Sequence, residues 1–324
     1  MDNVLMYVWL IVGFVLLIKG ADFFVDGTSS IAKLLKVPSI IIGLTIVAMG
    51  TSAPEMAVSV SAAIKGSNDI VISNVLGSNL FNLLMVAGAC AVMKNLPISK
   101  DLKMRDFPLS ILFAVILLFF CVNSFMMGGS GSFVIGRAEG VILFLGLLGY
   151  LGFLVYSTMR NRTGLPEGEE IKVMSPLKSI LYTAVGIAGI VIGGDLVVDS
   201  ATDIAKAFGL SDIIIGLTIL AVGTSLPELV TSLVATGKGE NDLAMGNVIG
   251  SNIFNIMGVL GLSAIISPVK VAGFSVIDLC LLIGVSLIIY VVVCLRNKIE
   301  RGTGILMVLM YAAYMTYAVL REIM

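Results

Sequence analysis

Residues 43–82 read GLTIVAMGTSAPEMAVSVSAAIKGSNDIVISNVLGSNLFN, and residues 216–255 read GLTILAVGTSLPELVTSLVATGKGENDLAMGNVIGSNIFN. The two stretches align without a gap at a constant offset of 173 residues, with 23 of 40 positions identical. Glu55 therefore answers Glu228, Pro54 answers Pro227 and Asn82 answers Asn255. The repeat extends upstream: Gly20, Asp22, Val25, Asp26, Ile31, Ala32 and Lys33 recur as Gly193, Asp195, Val198, Asp199, Ile204, Ala205 and Lys206. An internal duplication is first a statement about architecture. Here it also places a carboxylate inside an apolar segment twice, and such a residue is a functional candidate by default.

The composition sets the solvent. The chain has 324 residues, 58% of them hydrophobic and 13% charged, against roughly 25% charged in soluble domains. That balance belongs to a membrane protein. A net charge of −1 argues against nucleic acid as a partner. With no histidine, neither a histidine proton relay nor a histidine metal site is available. Cys90, Cys121, Cys280 and Cys294 lie in or beside apolar runs without CxxC spacing and read as buried thiols. The first apolar run, Val4 to Ile18, lacks a basic leader and a small-residue cleavage site, so it reads as a retained helix.

A spanning helix needs about 20 apolar residues. That rule predicts ten spans, at about 4–31, 39–64, 70–93, 107–127, 137–159, 178–205, 212–236, 243–267, 274–295 and 303–320. The expected fold class is an all-α polytopic membrane protein. Residues 1–160 form a first five-helix repeat, 161–177 a short charged cytoplasmic linker too small for a folded domain, and 178–324 a second five-helix repeat. With the N-terminus outside, the inner loops hold fourteen Lys and Arg residues and the outer segments five. The positive-inside rule then gives N-out and C-out, with Tyr7 and Trp9 near the outer interface. Five spans per copy is odd, so the second copy enters the membrane from the opposite side. Inverted repeats are a transporter design, with the substrate site near the midplane where the repeats meet.

The chemistry lies in GTSAPE, Gly50 to Glu55. Pro54 lacks an N–H, and its ring clashes with the Gly50 carbonyl four residues back. At membrane depth a released carbonyl must be buried in protein or meet water or an ion. The helix is expected to break here and turn a negative half-helix end inward. Thr51 and Ser52 lie four and three residues before Glu55 and are expected to share its face. Asn74, Ser78 and Asn82 follow at steps of four, and Asn247, Ser251 and Asn255 repeat the stripe. Together these are hard oxygen ligands, suited to Ca²⁺ and similar ions. A carboxylate alone in hydrocarbon costs several kcal/mol, so a cation or a proton must accompany it. A site that either can fill, but that cannot stay empty and charged, follows the logic of an antiporter.

Other polar residues have plainer readings. Thr45, Ser59 and Ser61 are expected to serve packing and interhelical hydrogen bonding. Asp22, Asp26, Asp195 and Asp199 lie towards span ends and read as interfacial or capping carboxylates. Asn68–Asp69 and Asn241–Asp242 read as turn and helix-start residues.

The paired signatures GTSAPE…GSNLFN and GTSLPELVTS…GSNIFN resemble the cation/Ca²⁺ exchanger superfamily, specifically its short prokaryotic calcium/sodium antiporters. The resemblance spans essentially the whole chain. It implies a secondary transporter, not an enzyme, that exchanges Ca²⁺ against Na⁺ by alternating access. It implies Glu55 and Glu228 as the main Ca²⁺ ligands, assisted by Thr51 and Thr224. Ser52, Ser225, Ser78 and Ser251, with the carbonyls of Ala48 and Ala221 and the two glutamates, would complete the Na⁺ sites. Asn82 and Asn255 would line the site as amides. The first and sixth spans would slide as a gating bundle. Asn255 stands where some prokaryotic relatives carry aspartate, which argues against K⁺ coupling. The motif GSN-x-F-N lacks the second acid of the proton-coupled GN-x-x-E pattern, which favours Na⁺. The large insert of animal exchangers, with its Ca²⁺-sensing domains, has no counterpart here.

The expected function is thus Na⁺/Ca²⁺ antiport; the alternative is Ca²⁺/H⁺ antiport with the same glutamates as proton carriers. The expected partners are Ca²⁺, Na⁺ and the lipid bilayer, with no cofactor, no nucleic acid and no obligate protein partner. A functional monomer, multi-pass in the plasma (inner) membrane of a prokaryote, completes the expectation.

Overall fold

The computed structural model describes residues 3–127, 133–160, 174–208 and 221–323. The described chain is helical almost throughout, because a backbone in hydrocarbon must satisfy its own hydrogen bonds. The helices are α1 (Asn3–Leu35), α2 (Ser39–Thr51), α3 (Ala53–Lys65), α4 (Asn68–Met93), α5 (Leu102–Phe125) and α6 (Arg137–Arg160). After these come α7 (Pro176–Ala207), a turn of helix at Ala221–Gly223, α8 (Leu226–Gly237), α9 (Asn241–Ile266), α10 (Gly273–Arg296) and α11 (Arg301–Ile323). Among the described residues, eight helices are long and apolar enough to cross a membrane, and α2 with α3 make a ninth candidate bent by 49°. The expected span 212–236 and the linker 161–177 fall partly outside the described residues. The expected span from 107 begins earlier, because a π-helical turn at Leu102–Asp106 leads into it.

The repeat is visible in the backbone. Gly66 ends α3 with φ 75°, and its copy Gly239 follows α8 with φ 84°. Both adopt the left-handed conformation that closes a helix without a Cβ penalty. Asn68 and Asn241 each open a helix, as the sequence leads one to expect.

Burial separates an inner layer from an outer one. In α4 and α9 the most apolar window is 78% buried, whereas in the other six long spans the figure is between 17% and 39%. So α4 and α9 form the interior, while helices such as α6 turn Ile142, Leu145 and Leu148 outward. In lipid that outward face needs no polar cover. Cys90 and Cys121 are buried, but Cys280 and Cys294 are exposed on α10, contrary to the reading of all four as buried. Hydropathy could not separate them, since apolar runs here include the lipid face.

Two small antiparallel pairs clasp the copies together. β1 (Leu96–Pro97) pairs with β4 (Lys298–Ile299), Leu96 opposite Ile299. β2 (Phe133–Ile135) pairs with β3 (Val269–Val271), Val134 opposite Lys270. α5 leads from β1 to β2, so the two clasps lie at its opposite ends. The equivalent helices α4 and α9 run into β1 and β3, and therefore end at opposite faces of the molecule.

Helices α1 and α7 run antiparallel at very close range. A Cβ on Gly20 would lie 2.6 Å from the backbone nitrogen of Ile190, and one on Gly186 would lie 2.5 Å from that of Phe24. Small residues allow this approach, as expected where dispersion and packing hold helices together in lipid.

Candidate ion-binding site

The site starts at two broken helices. α2 stops at Thr51, Ser52 takes φ −84° and ψ 12°, and α3 begins with Pro54 in its first turn. In the copy, Ser225 takes φ −95° and ψ 6° before α8, with Pro227 in the same place. Proline is tolerated there because first-turn N–H groups have no intrahelical acceptor. Each break brings two helix ends together. Glu55 and Glu228 sit in the first turn of the second half, where the positive end of the helix dipole favours a carboxylate. The proline position by itself points only to the negative end of the first half.

Both glutamates are 0% exposed. The Ser225 hydroxyl donates to Glu55 Oε1 at 2.9 Å, and the Ser52 hydroxyl donates to Glu228 Oε1 at 2.8 Å. Each serine thus serves the glutamate of the other copy. The expectation that Thr51 and Ser52 share a face with Glu55 is corrected: the break at Ser52 re-aims both, and a continuous-helix spacing no longer applies. Thr51 instead donates to Asn247 Oδ1 at 3.0 Å and to the carbonyls of Val47 and Ala48 at 3.1 and 3.4 Å. Ser78 adds a weak donation to Glu55 Oε1 at 3.4 Å. Ser251 turns to Asn247 Oδ1 at 3.5 Å.

The Asn–Ser–Asn stripes divide in function. Asn74 donates to the Glu55 carbonyl at 3.1 Å and to Ser59 Oγ at 2.8 Å. Asn247 repeats both contacts, to the Glu228 carbonyl at 3.5 Å and to Ser232 Oγ at 3.0 Å. These two amides brace the broken helices. Ser59 has the interhelical role expected of it, and Thr45 bonds back to the Ile41 carbonyl at 2.6 Å. Asn82 and Asn255 differ: both are fully buried, and neither amide atom of either has a partner. Each lies in a π-helical turn, Phe81–Val86 and Asn255–Leu260, a distortion frequent at functional sites.

The unpartnered atoms define what the site lacks. Glu55 Oε2, Glu228 Oε2, the Asn82 and Asn255 amides and Thr224 Oγ1 are buried without a hydrogen bond. Buried polar atoms in native proteins are almost always satisfied, so each such atom calls for a partner. Among the described residues no lysine or arginine pairs with either glutamate. Oxygens of this kind are the donors that Ca²⁺ and Na⁺ take. Ala48 is buried beside them, its carbonyl accepting from Ser52 N at 3.0 Å. Ala221 opens its short turn of helix.

Other buried carboxylates are neutralised. Asp106 receives Arg105 Nε at 2.8 Å and the Tyr150 hydroxyl at 3.1 Å. Asp278 receives Arg321 at 3.1 Å. Only their pairing separates them from the site glutamates, and pairing is not written in the sequence. Asn79 and Asn252, which lie off the four-residue stripes, donate to each other's backbone carbonyls at 3.3 Å. Their signal was the duplicated GSN at 77–79 and 250–252.

The two halves are unequally covered. Asn247 and Pro227 are buried, whereas Asn74 and Pro54 are half-buried; Ala53 is exposed, its counterpart Leu226 half-buried.

Comparisons with known proteins match nearly the whole chain to one family. The model of the sodium/calcium exchanger protein family matches residues 5–159 and 178–320. The putative antiporter CaxA of Alkalimonas amylolytica is 44% identical over 262 residues, covering 81% of each chain. The sodium/calcium exchanger MaX1 of Methanosarcina acetivorans is 35% identical, covering 94% of this chain and 96% of its own. The solved structure of the sodium-calcium exchanger NCX_Mj superposes with a TM-score of 0.82 at 30% identity, covering 96% of this chain and 98% of that one.

Proposed function

The chain belongs to the sodium/calcium exchanger family, a family of membrane antiporters, and on that premise we propose that it exchanges Na⁺ for Ca²⁺ by alternating access. Ten spans in two inverted five-helix repeats, N-out and C-out, would carry a single central site in a prokaryotic plasma membrane. The unit would work as a monomer without a cofactor, Ca²⁺ and Na⁺ being its cargo.

One observation carries the reading. Each glutamate has one oxygen held by the opposite copy's serine and the other buried with no partner. Two carboxylates match one divalent cation in charge. We assign Ca²⁺ to Glu55 and Glu228 with Thr51 and Thr224. We assign Na⁺ to Ser52, Ser78, Ser225 and Ser251 with the Ala48 and Ala221 carbonyls and the same glutamates, and give Asn82 and Asn255 to the lining. Shared carboxylates make occupancy by the two ions exclusive, which is the requirement for exchange and not co-transport.

The deciding experiment is Ca²⁺ uptake into proteoliposomes preloaded with Na⁺, run beside K⁺-loaded vesicles and vesicles given a pH jump. Uptake that requires internal Na⁺ supports the assignment. Uptake driven by the pH jump alone transfers it to proton coupling on the same glutamates.

A further inference from the structure

Lys238 follows α8 and reaches across to α1. Its ammonium lies 2.7 Å from Asp22 Oδ1 and 2.6 Å from Asp26 Oδ1, and it also donates to the Asp22 carbonyl at 3.0 Å. Asp22 and Asp26 are thus not caps but the acceptors of one lysine. All three residues are duplicated at the same offset: Lys65 for Lys238, Asp195 for Asp22, Asp199 for Asp26. Among the described residues, the second set is not joined, and Lys65, Asp195 and Asp199 are all exposed. Lys19 adds a contact to Asp22 at 3.8 Å, and its counterpart is the apolar Ile192.

The cover over the site follows the same asymmetry. On the joined side, Leu17, Ala21, Phe24 and Val25 of α1 pack in one apolar cluster with Ala235 and Leu243. On the other side the counterparts of Gly237 and Leu243, Ile64 and Ile70, are 70% and 51% exposed. Because the repeats are inverted, the two lysines stand at opposite faces. Among the described residues, the ion pair is made at the face where α1 covers the end of α8, and unmade at the face where Ile64 and Ile70 are uncovered.

We propose that Lys238 with Asp22–Asp26, and Lys65 with Asp195–Asp199, are two halves of an alternating ion-pair latch, one closed in each access state. This rests on the alternating-access reading given above. The side chains of Lys238, Asp22 and Asp26 remain 29%, 40% and 47% exposed. Pairs so wetted are individually weak, as a latch opened in every cycle must be. Two weak latches of opposite sense bias the equilibrium between states without fixing it.

The test measures the two states directly. In a background with the four cysteines replaced by alanine, single Ala53→Cys and Leu226→Cys variants report the open and the closed corner. Labelling by a hydrophilic maleimide is followed on detergent-solubilised protein, so both faces meet the reagent. Lys238→Ala should raise the Leu226→Cys to Ala53→Cys rate ratio roughly threefold, the scale of a surface ion pair. Lys65→Ala should lower it, and Lys238→Arg should leave it near the starting value. Asp26→Asn and Asp199→Asn should repeat the two opposite shifts. Shifts in the same direction, or none in variants that remain monodisperse, overturn the latch. The readout needs no ion flux: failed Na⁺-driven uptake with opposed shifts removes the exchange assignment alone, and intact uptake without them removes the latch alone.

Discussion

The side-chain amide of Asn79 donates to the backbone carbonyl of Asn252, and the amide of Asn252 donates to that of Asn79, both at 3.3 Å. A reciprocal pair of this kind marks the point where the two copies meet on their pseudo-two-fold axis. Losing one bond between buried groups costs about 1–3 kcal/mol. Asn79→Ala and Asn252→Ala should therefore destabilise the protein by similar amounts in that range, read as thermal unfolding in detergent. Because the residues act as a pair, the double variant should cost less than the sum. Strongly unequal single effects would place the axis elsewhere.

The crossed serine–glutamate bonds make a second prediction. Hydrogen bonds to charged groups contribute roughly 1.5–3 kcal/mol. Ser52→Ala should couple to Glu228→Gln and not to Glu55→Gln, whereas Ser225→Ala should couple to Glu55→Gln alone. A double-mutant cycle on Ca²⁺ affinity checks this, with coupling of at least about 0.5 kcal/mol expected only within the crossed pairs. Equal coupling in all four combinations would contradict the geometry.

Ion binding should be visible without transport. A ligand that binds only the folded state stabilises it, by about 2.7 kcal/mol at a hundredfold excess over its Kd. Ca²⁺ should raise the Tm of the unmodified chain, and at the same Ca²⁺ concentration the rise should fall to about half or less in Glu55→Gln and Glu228→Gln, since each loses a charged ligand and with it about tenfold or more in affinity. An undiminished rise in either variant would take that glutamate out of the Ca²⁺ shell.

Gly20→Ala should separate α1 from α7. The added Cβ would stand 2.6 Å from a backbone nitrogen, which no rotamer change relieves. Overpacking of this sort costs about 1–3 kcal/mol, measurable as a lower Tm. Gly284→Ala on α10, where a Cβ meets nothing within 4 Å, is the control and should be neutral.

Much of this arrangement was legible in the residues. The duplication, the apolar runs and the Pro54 and Pro227 breaks all follow from local rules, and the bend at Ser52 sits where Pro54 put it. Local rules could not give the partners. A spacing of three or four residues implies a shared face only in an unbroken helix, so Ser52 was assigned to Glu55 when the break hands it to Glu228. Strands of two or three residues, such as Leu96–Pro97, are too short to show an alternating pattern. The shared partner of Asp22 and Asp26 is not legible locally, because Lys238 lies more than two hundred positions away. Asp106 and Asp278 drew no attention for a similar reason, as their neutralisation depends on where Arg105 and Arg321 come to rest.

The two β clasps bear on how such a chain could have arisen. Each joins a strand of one half to a strand of the other, and neither is made within a half. A half on its own would leave two strand edges unpaired and each glutamate without its serine. Its natural remedy is a second copy inserted the other way up, with every missing contact supplied in trans. Two separately made polypeptides, divided within 161–173, would then have every reason to assemble in one bilayer. Covalent fusion settles the stoichiometry and orientation of that pairing, and once it is settled the two halves are free to diverge, as Lys19 and Ile192 have done.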